Sequence, residues 1–276
     1  MTSALFHYAF IQHALAAALL TSIACGIIGT IIIQKKMVMM SGGIAHTAFG
    51  GIGLGYFLGI EPIIGALGFS TSAALGIAAI RRNTATNPDV LVGIFWPLGM
   101  ALGIVFIAFT PGYPPDMSSY LFGDILTVSR RDLVYMVWLD LIIIGTVGIY
   151  FNLIKAYLFD EDFSTALGLN MALIDYLTFV LIAVTVVVII RVVGIILILA
   201  LLCVPPTISR MFTYNLARIM VFSIGLGIIL CLTGLWASYT LQISTGASIV
   251  ITAVIAYVLA SVGQKARQRH RIQTSI

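Results

Sequence analysis

One histidine stands well inside an apolar run of this sequence: His46, in a stretch that is otherwise glycine, alanine and aliphatic. An imidazole in hydrocarbon needs a partner, so it faces a bundle interior or a wet cavity. In its neutral form it ligates zinc, manganese or iron. The alternative is a structural histidine bonded to a neighbouring helix. Asp140 lies about two turns into another apolar run, where acids mark ion paths or proton relays, although the start of that run is open enough to put it near the interface. Asp116 and Asp124 sit in a polar segment between two runs, either lining a cation entrance or forming a solvated face. His7 and His13 precede and open the first run, and His270 belongs to a basic tail. Cys25, Cys203 and Cys231 are isolated within apolar runs without CxxC spacing, which argues against a disulfide framework or a thiolate metal site. No nucleophile–base pair, P-loop or HExxH is present, so nothing supports an enzyme. Gly51-Ile-Gly-Leu-Gly55 follows no strand and has no acid about 20 residues on, so it is not a dinucleotide loop. Gly51, Gly55 and Gly59 instead share one helix face and suit close helix packing in lipid.

These residues must be held by membrane-crossing helices. Of 276 residues, 61% are hydrophobic and 9% charged, with a mean hydropathy of +1.12. A soluble domain has roughly a quarter of its residues charged. Apolar stretches of about 20 residues recur throughout, the length of a crossing helix. They are continuous rather than alternating, which excludes a barrel. The expected fold is all-α, a polytopic transmembrane bundle forming a single domain over 1–276. Its spans are expected near 8–33, 40–59, 63–80, 90–110, 133–153, 173–190, 192–209, 218–238 and 246–262. That makes nine, or eight if one short pair is re-entrant. The first run has no basic residue before it and is too long for a signal-peptide core. Pro205-Pro206 predicts a kink or an unwound stretch in the seventh span.

With the C-terminus in the cytoplasm, eleven basic residues fall inside, including Lys35, Lys36, Arg81, Arg82, Arg210 and Arg218. Only Arg130, Arg131 and Arg191 fall outside, which places the N-terminus outside. The basic residues therefore set orientation, and the net charge of +4 is no nucleic-acid signal. Two polar segments remain. Pro111 to Asp132 lies outside and contains an amphipathic piece, Ser118 to Val128, expected as a surface helix. Asp160 to Asn170 lies inside and reads as a short helix, its acids suiting the N-terminus and Gly168 with Asn170 its end. With no large soluble segment in the chain, a partner must supply any energy for transport.

Taken together, several segments resemble the permease subunits of the zinc, manganese and iron(II) ABC importers. They are Ser41-Gly-Gly-Ile-Ala-His46 with the glycine run to Gly59, Glu61-Pro-Ile-Ile-Gly-Ala66, Asp89 with Val92-Gly-Ile94, and Tyr120-Leu-Phe-Gly-Asp-Ile-Leu126 with Asp132-Leu133. Further on come Ala166-Leu-Gly-Leu169, Asp175-Tyr-Leu177, Val193-Gly194, Pro205, Ser238-Tyr239 and Thr245-Gly-Ala-Ser-Ile-Val250. The resemblance covers almost the whole chain in the family's order. It implies a homodimer in the plasma membrane of a prokaryote, two cytoplasmic ATP-binding subunits, and an extracellular or periplasmic metal-binding protein that delivers the ion. The ATPase-coupling helix would be the segment holding Asp160, Ala166, Leu167, Gly168 and Leu169. The metal would pass His46, with Asp140 and Asp124 as further candidates, and no cofactor would be bound. Many relatives carry an acid four residues before that histidine; here the position is Gly42, so His46 stands without a carboxylate one turn away. Two other readings are a carrier driven by an ion gradient, with Asp140 as its proton or sodium site, and an ABC permease for an organic metal chelate.

Overall fold

The computed structural model describes residues 9–84, 88–112, 123 and 125–273, and among them every regular element is helical. Seven of the helices are long and apolar enough to cross a membrane. The chain opens with α1 (Ala9–Lys35), α2 (Val38–Leu58), α3 (Pro62–Asn83) and α4 (Pro88–Ala108). After a 3₁₀ turn at Ile125–Thr127 come α5 (Arg130–Ile149), α6 (Phe151–Phe159) and α7 (Glu161–Ala166). The last three helices are α8 (Met171–Phe212), α9 (Leu216–Leu241) and α10 (Thr245–Gln273). Helices α1 and α8 are the most buried and form the centre, whereas α4 and α10 present most of their surface outward.

The sixth and seventh expected spans form one element, α8, interrupted at Gly194 (φ 79°, ψ 166°). A straight helix of 42 residues would be about 63 Å long, twice the hydrocarbon thickness. The chain turns back instead. Asp175, in the first half, lies at the Lys35 end of α1, while Leu202 and Pro206, in the second, press on Gly29 of that same end. Glycine is needed at the reversal because the left-handed backbone is closed to most L-residues. The diproline does not unwind the helix: Pro205 and Pro206 stay within it, and the non-helical residue is Gly194. Pro206 has no N–H to bond the Leu202 carbonyl, and the backbone of Gly29 packs on that oxygen.

Between helices in lipid there is little hydrophobic driving force, so close packing of small residues holds them. The glycines of α2 serve this purpose on two sides. Gly51 and Gly55 meet Gly65, Ala66 and Pro62 of α3, while Gly50 and Gly53 meet the Gly99 and Gly103 carbonyls of α4. Gly59 does not share the packing face as expected; it is the left-handed C-cap of α2, with nothing near it. The fifth expected span also ends early, at Ile149, and α6 takes over. The surface helix expected over 118–128 is represented among the described residues by Gly123 and the 3₁₀ turn. Gly123 packs directly on the Val193–Gly194 backbone. Asp116 and Asp124 lie outside the described residues.

Candidate translocation and coupling sites

His46 sits midway along α2, between the glycines that hold this helix to its neighbours. Its ring stacks on Trp96 of α4 with centroids 4.2 Å apart and planes 13° from parallel. The Nδ1 atom is buried and has no hydrogen-bond partner. One turn earlier, a Cβ built on Gly42 would meet only Trp96 Cζ3 at 3.6 Å and Leu199 Cδ2 at 3.9 Å, ordinary contact distances. Gly42 therefore leaves room where a side chain could stand, beside an imidazole with an uncommitted nitrogen. A lone ring nitrogen binds a divalent cation only weakly.

Asp140 is buried within α5 (5% exposed), and neither carboxylate oxygen has a hydrogen-bond partner. Helix α5 packs on α1 and α8, whereas α2 packs on α3, α4 and α8. Of the three free cysteines, Cys231 of α9 reaches α1, where it accepts from the Ser22 hydroxyl at 3.8 Å. Among the described residues no group of three His, Cys, Asp or Glu side chains could hold a metal, and His46 and Asp140 stand on helices with different principal neighbours.

At the end of the bundle where α1 and α3 finish, the short α7 begins. Asp160 caps it, accepting from the Phe163 N–H at 2.9 Å. Ala166 is its last residue; Leu167 and Gly168 (φ 80°) form the turn after it with Leu169, and Asn170 caps α8 rather than closing α7. Phe159, Phe163 and Leu167 point outward, 92%, 62% and 65% exposed. On the opposite side is a cluster that spacing alone did not reveal. Glu161 pairs with Lys35 at 2.7 Å, Arg82 at 3.4 Å and Arg81 at 3.7 Å. Arg81 also reaches fully buried Asp175 at 2.6 Å. The Tyr157 hydroxyl donates to Asp175 at 2.5 Å, and burial with that neighbouring carboxylate pushes the phenol well above its usual pKa, so it remains a donor.

The other end of the bundle carries a smaller set. Arg191 pairs with Glu61 at 2.9 Å and Asp132 at 3.1 Å, beside a cavity of about 220 Å³ lined by Ala48, Ile52 and Tyr56. Asp132 is fixed by a capping box with Ser129 at the start of α5. His13 contacts the Val128 carbonyl at 3.1 Å at this same end.

The sequence profile of the ABC 3 transport family matches residues 7–264. The chain belongs to the ABC 3 transport family. It is 42% identical over 253 residues to an uncharacterized membrane protein of Synechocystis, covering 91% of this chain and 90% of the relative. It is 30% identical over 256 residues to the manganese transport system membrane protein MntC of Listeria monocytogenes, covering 93% and 91%. Among solved structures it resembles PsaBC from Streptococcus pneumoniae in complex with Fab, with a TM-score of 0.83 and 30% identity over 94% of this chain and 93% of that one. This ABC 3 protein is a multi-pass membrane permease of the metal ABC importer class, as its motifs suggested.

Proposed function

We propose that the chain is the membrane-spanning permease of an ATP-driven importer that moves a divalent transition-metal ion, manganese(II) foremost, into the cytoplasm. The observation that carries this reading is its full-length similarity to the membrane subunit of a manganese transport system. His46 is the ligand in the path: its buried Nδ1 is uncommitted, and an imidazole serves manganese, iron(II) and zinc alike. Asp140 and Asp124 are secondary candidates along the same route. No cofactor is bound, and the metal is cargo.

Two copies of the chain pair around the path, two cytoplasmic ATP-binding subunits dock on α7, and an extracellular or periplasmic binding protein delivers the ion. ATP hydrolysis belongs to the docked subunits. The exposed Phe159, Phe163 and Leu167 supply an apolar contact surface for them. Counting α2, and counting α8 as two crossings that reverse at Gly194, the seven long apolar helices become nine spans. The N-terminus is outside, and the Lys35–Arg81–Glu161 end faces the cytoplasm, in keeping with the distribution of basic residues.

The test is manganese uptake into proteoliposomes holding the permease with its ATP-binding subunits, supplied with ATP inside or outside. Uptake that needs both ATP and those subunits is expected. The unpartnered carboxylate of Asp140 favours one second reading, a carrier driven by a proton or sodium gradient. Gradient-driven uptake by the lone chain would replace the first reading with that one.

A further inference from the structure

The charge cluster at the α7 end joins five elements, and its two carboxylates differ in kind. Asp175, near the start of α8, is fully buried and held by Arg81 at 2.6 Å, by the Tyr157 hydroxyl at 2.5 Å and by Arg82 at 3.8 Å. Removing a partner from a buried ion strands an uncompensated charge, so that pairing is obligatory. Glu161, at the first position of α7, is 26% exposed, and its partners Lys35, Arg81 and Arg82 are 16%, 19% and 29% exposed, so its attachments are less enclosed than those of Asp175 and cost less to exchange for water. Arg81 is common to both carboxylates. Lys35, the last residue of α1, is held a second way: its ammonium donates to the Tyr157 carbonyl at 3.2 Å and lies 3.7 Å over the Tyr157 ring.

From this asymmetry we infer that Glu161 is a releasable latch connecting α7 to α1 and α3, while Arg81–Asp175 is a fixed pin between α3 and α8. A push on α7 breaks the hydrated attachments of Glu161 first. The pin holds, so α3 and the first half of α8 move as one piece relative to α1. Lys35, Arg82 and Glu161 are positioning residues: they touch no metal and no nucleotide, but they set how far a displacement of α7 travels into the bundle. The inference rests on the reading above that α7 receives an ATP-hydrolysing partner.

The experiment measures manganese ions moved per ATP hydrolysed in proteoliposomes containing the complete complex. Lys35→Gln is the primary variant because it lies outside α7 and leaves the docking surface intact. It co-purifies with the ATP-binding subunits, and the transport-to-hydrolysis ratio falls about tenfold, within the usual range of inter-site couplings. Glu161→Gln, assayed on the complexes that co-purify, shows the same fall, and Lys35→Arg, which keeps the charge, stays within about twofold of native. A native ratio in both Lys35→Gln and Glu161→Gln overturns the latch, as does an equal loss in Lys35→Arg, which would make position 35 a matter of shape alone. A native complex that hydrolyses ATP without moving metal, or moves metal without ATP, overturns the functional reading and the latch with it.

Discussion

Gly53→Ala is the sharpest perturbation of the arrangement that holds His46. A Cβ at this position would lie 2.5 Å from the Gly103 carbonyl oxygen and 2.8 Å from its Cα, both backbone atoms of α4. No rotamer relieves that contact, so α2 and α4 must separate by about 1 Å to reach ordinary packing distance. Overpacking of this sort costs about 1–3 kcal/mol. Alanine also gains about 1 kcal/mol over glycine in helix propensity, which masks part of the cost. Gly68→Ala, in α3 with nothing within 4 Å of its would-be Cβ, carries that gain alone and is the control. At about 2–4 °C per kcal/mol, the scale for soluble chains of comparable size, Gly53→Ala should unfold roughly 2–12 °C below Gly68→Ala in lipid nanodiscs. Because His46 is on α2 and Trp96 on α4, the same separation opens the 4.2 Å ring stack, so metal uptake should fall with the melting temperature. Equal melting temperatures for the two variants would refute the claim that backbone contact, rather than side-chain packing, fixes α2 against α4.

Three further outcomes follow from the same geometry. His46→Ala is expected to lower manganese uptake at least tenfold while leaving dimer assembly, read by size-exclusion chromatography, unchanged, as expected for loss of an interaction made by the ion; normal uptake would remove His46 from the path. Asp140→Asn replaces a buried carboxylate that has no hydrogen-bond partner and is expected to raise thermal stability while lowering ATP-dependent uptake by less than His46→Ala does; unchanged uptake in the folded variant would remove Asp140 from the route. Phe163→Cys, exposed on α7, should react with a membrane-impermeant maleimide in inverted vesicles and not in right-side-out ones, while the native buried Cys25 and Cys231 stay silent; the opposite pattern would reverse the assigned orientation.

Most of the fold was legible because a crossing helix announces itself by length and apolarity alone. Starts and ends at Lys35, Arg81 and Arg82 followed from the charges that stop each run. The α8 reversal was located within a few residues because Arg191 breaks the run there, but its agent, Gly194, stood out only as part of the Val193-Gly194 motif and not as a turn. Helix faces were harder to read. A helix buried in protein on one side and lipid on the other is apolar all round, so periodicity says little about which residues look inward. The stacking of His46 on Trp96 was therefore invisible, although His46 itself had been singled out. The inner cluster was missed for a different reason. Lys35 and Glu161 are 126 residues apart and Arg81 and Asp175 are 94 apart, so no local spacing encodes their pairing. Its one sequence trace was a run of basic residues at span ends, which orientation already explained.

The distribution of contact types says where this bundle can move. In the membrane interior, α2 is fitted to α3 and α4 through backbone atoms at glycine, and an interface of that shape has no side chains to re-pack as it slides. These three helices therefore behave as one unit, with His46 and Trp96 on a surface that does not deform. At the two ends the contacts change to ion pairs that are partly open to water: Arg191 with Glu61 and Asp132 at one end, Glu161 with Lys35 and Arg82 at the other. Hydrated pairs of this kind are individually worth about 0–1 kcal/mol and can be exchanged for water without stranding a charge. On the proposed reading of the chain as an importer, a two-sided opening of the path needs no change in the middle of the bundle. In that reading, rigid groups of helices would tilt about the glycine-packed centre, and each end would open by breaking its partly hydrated ion pairs.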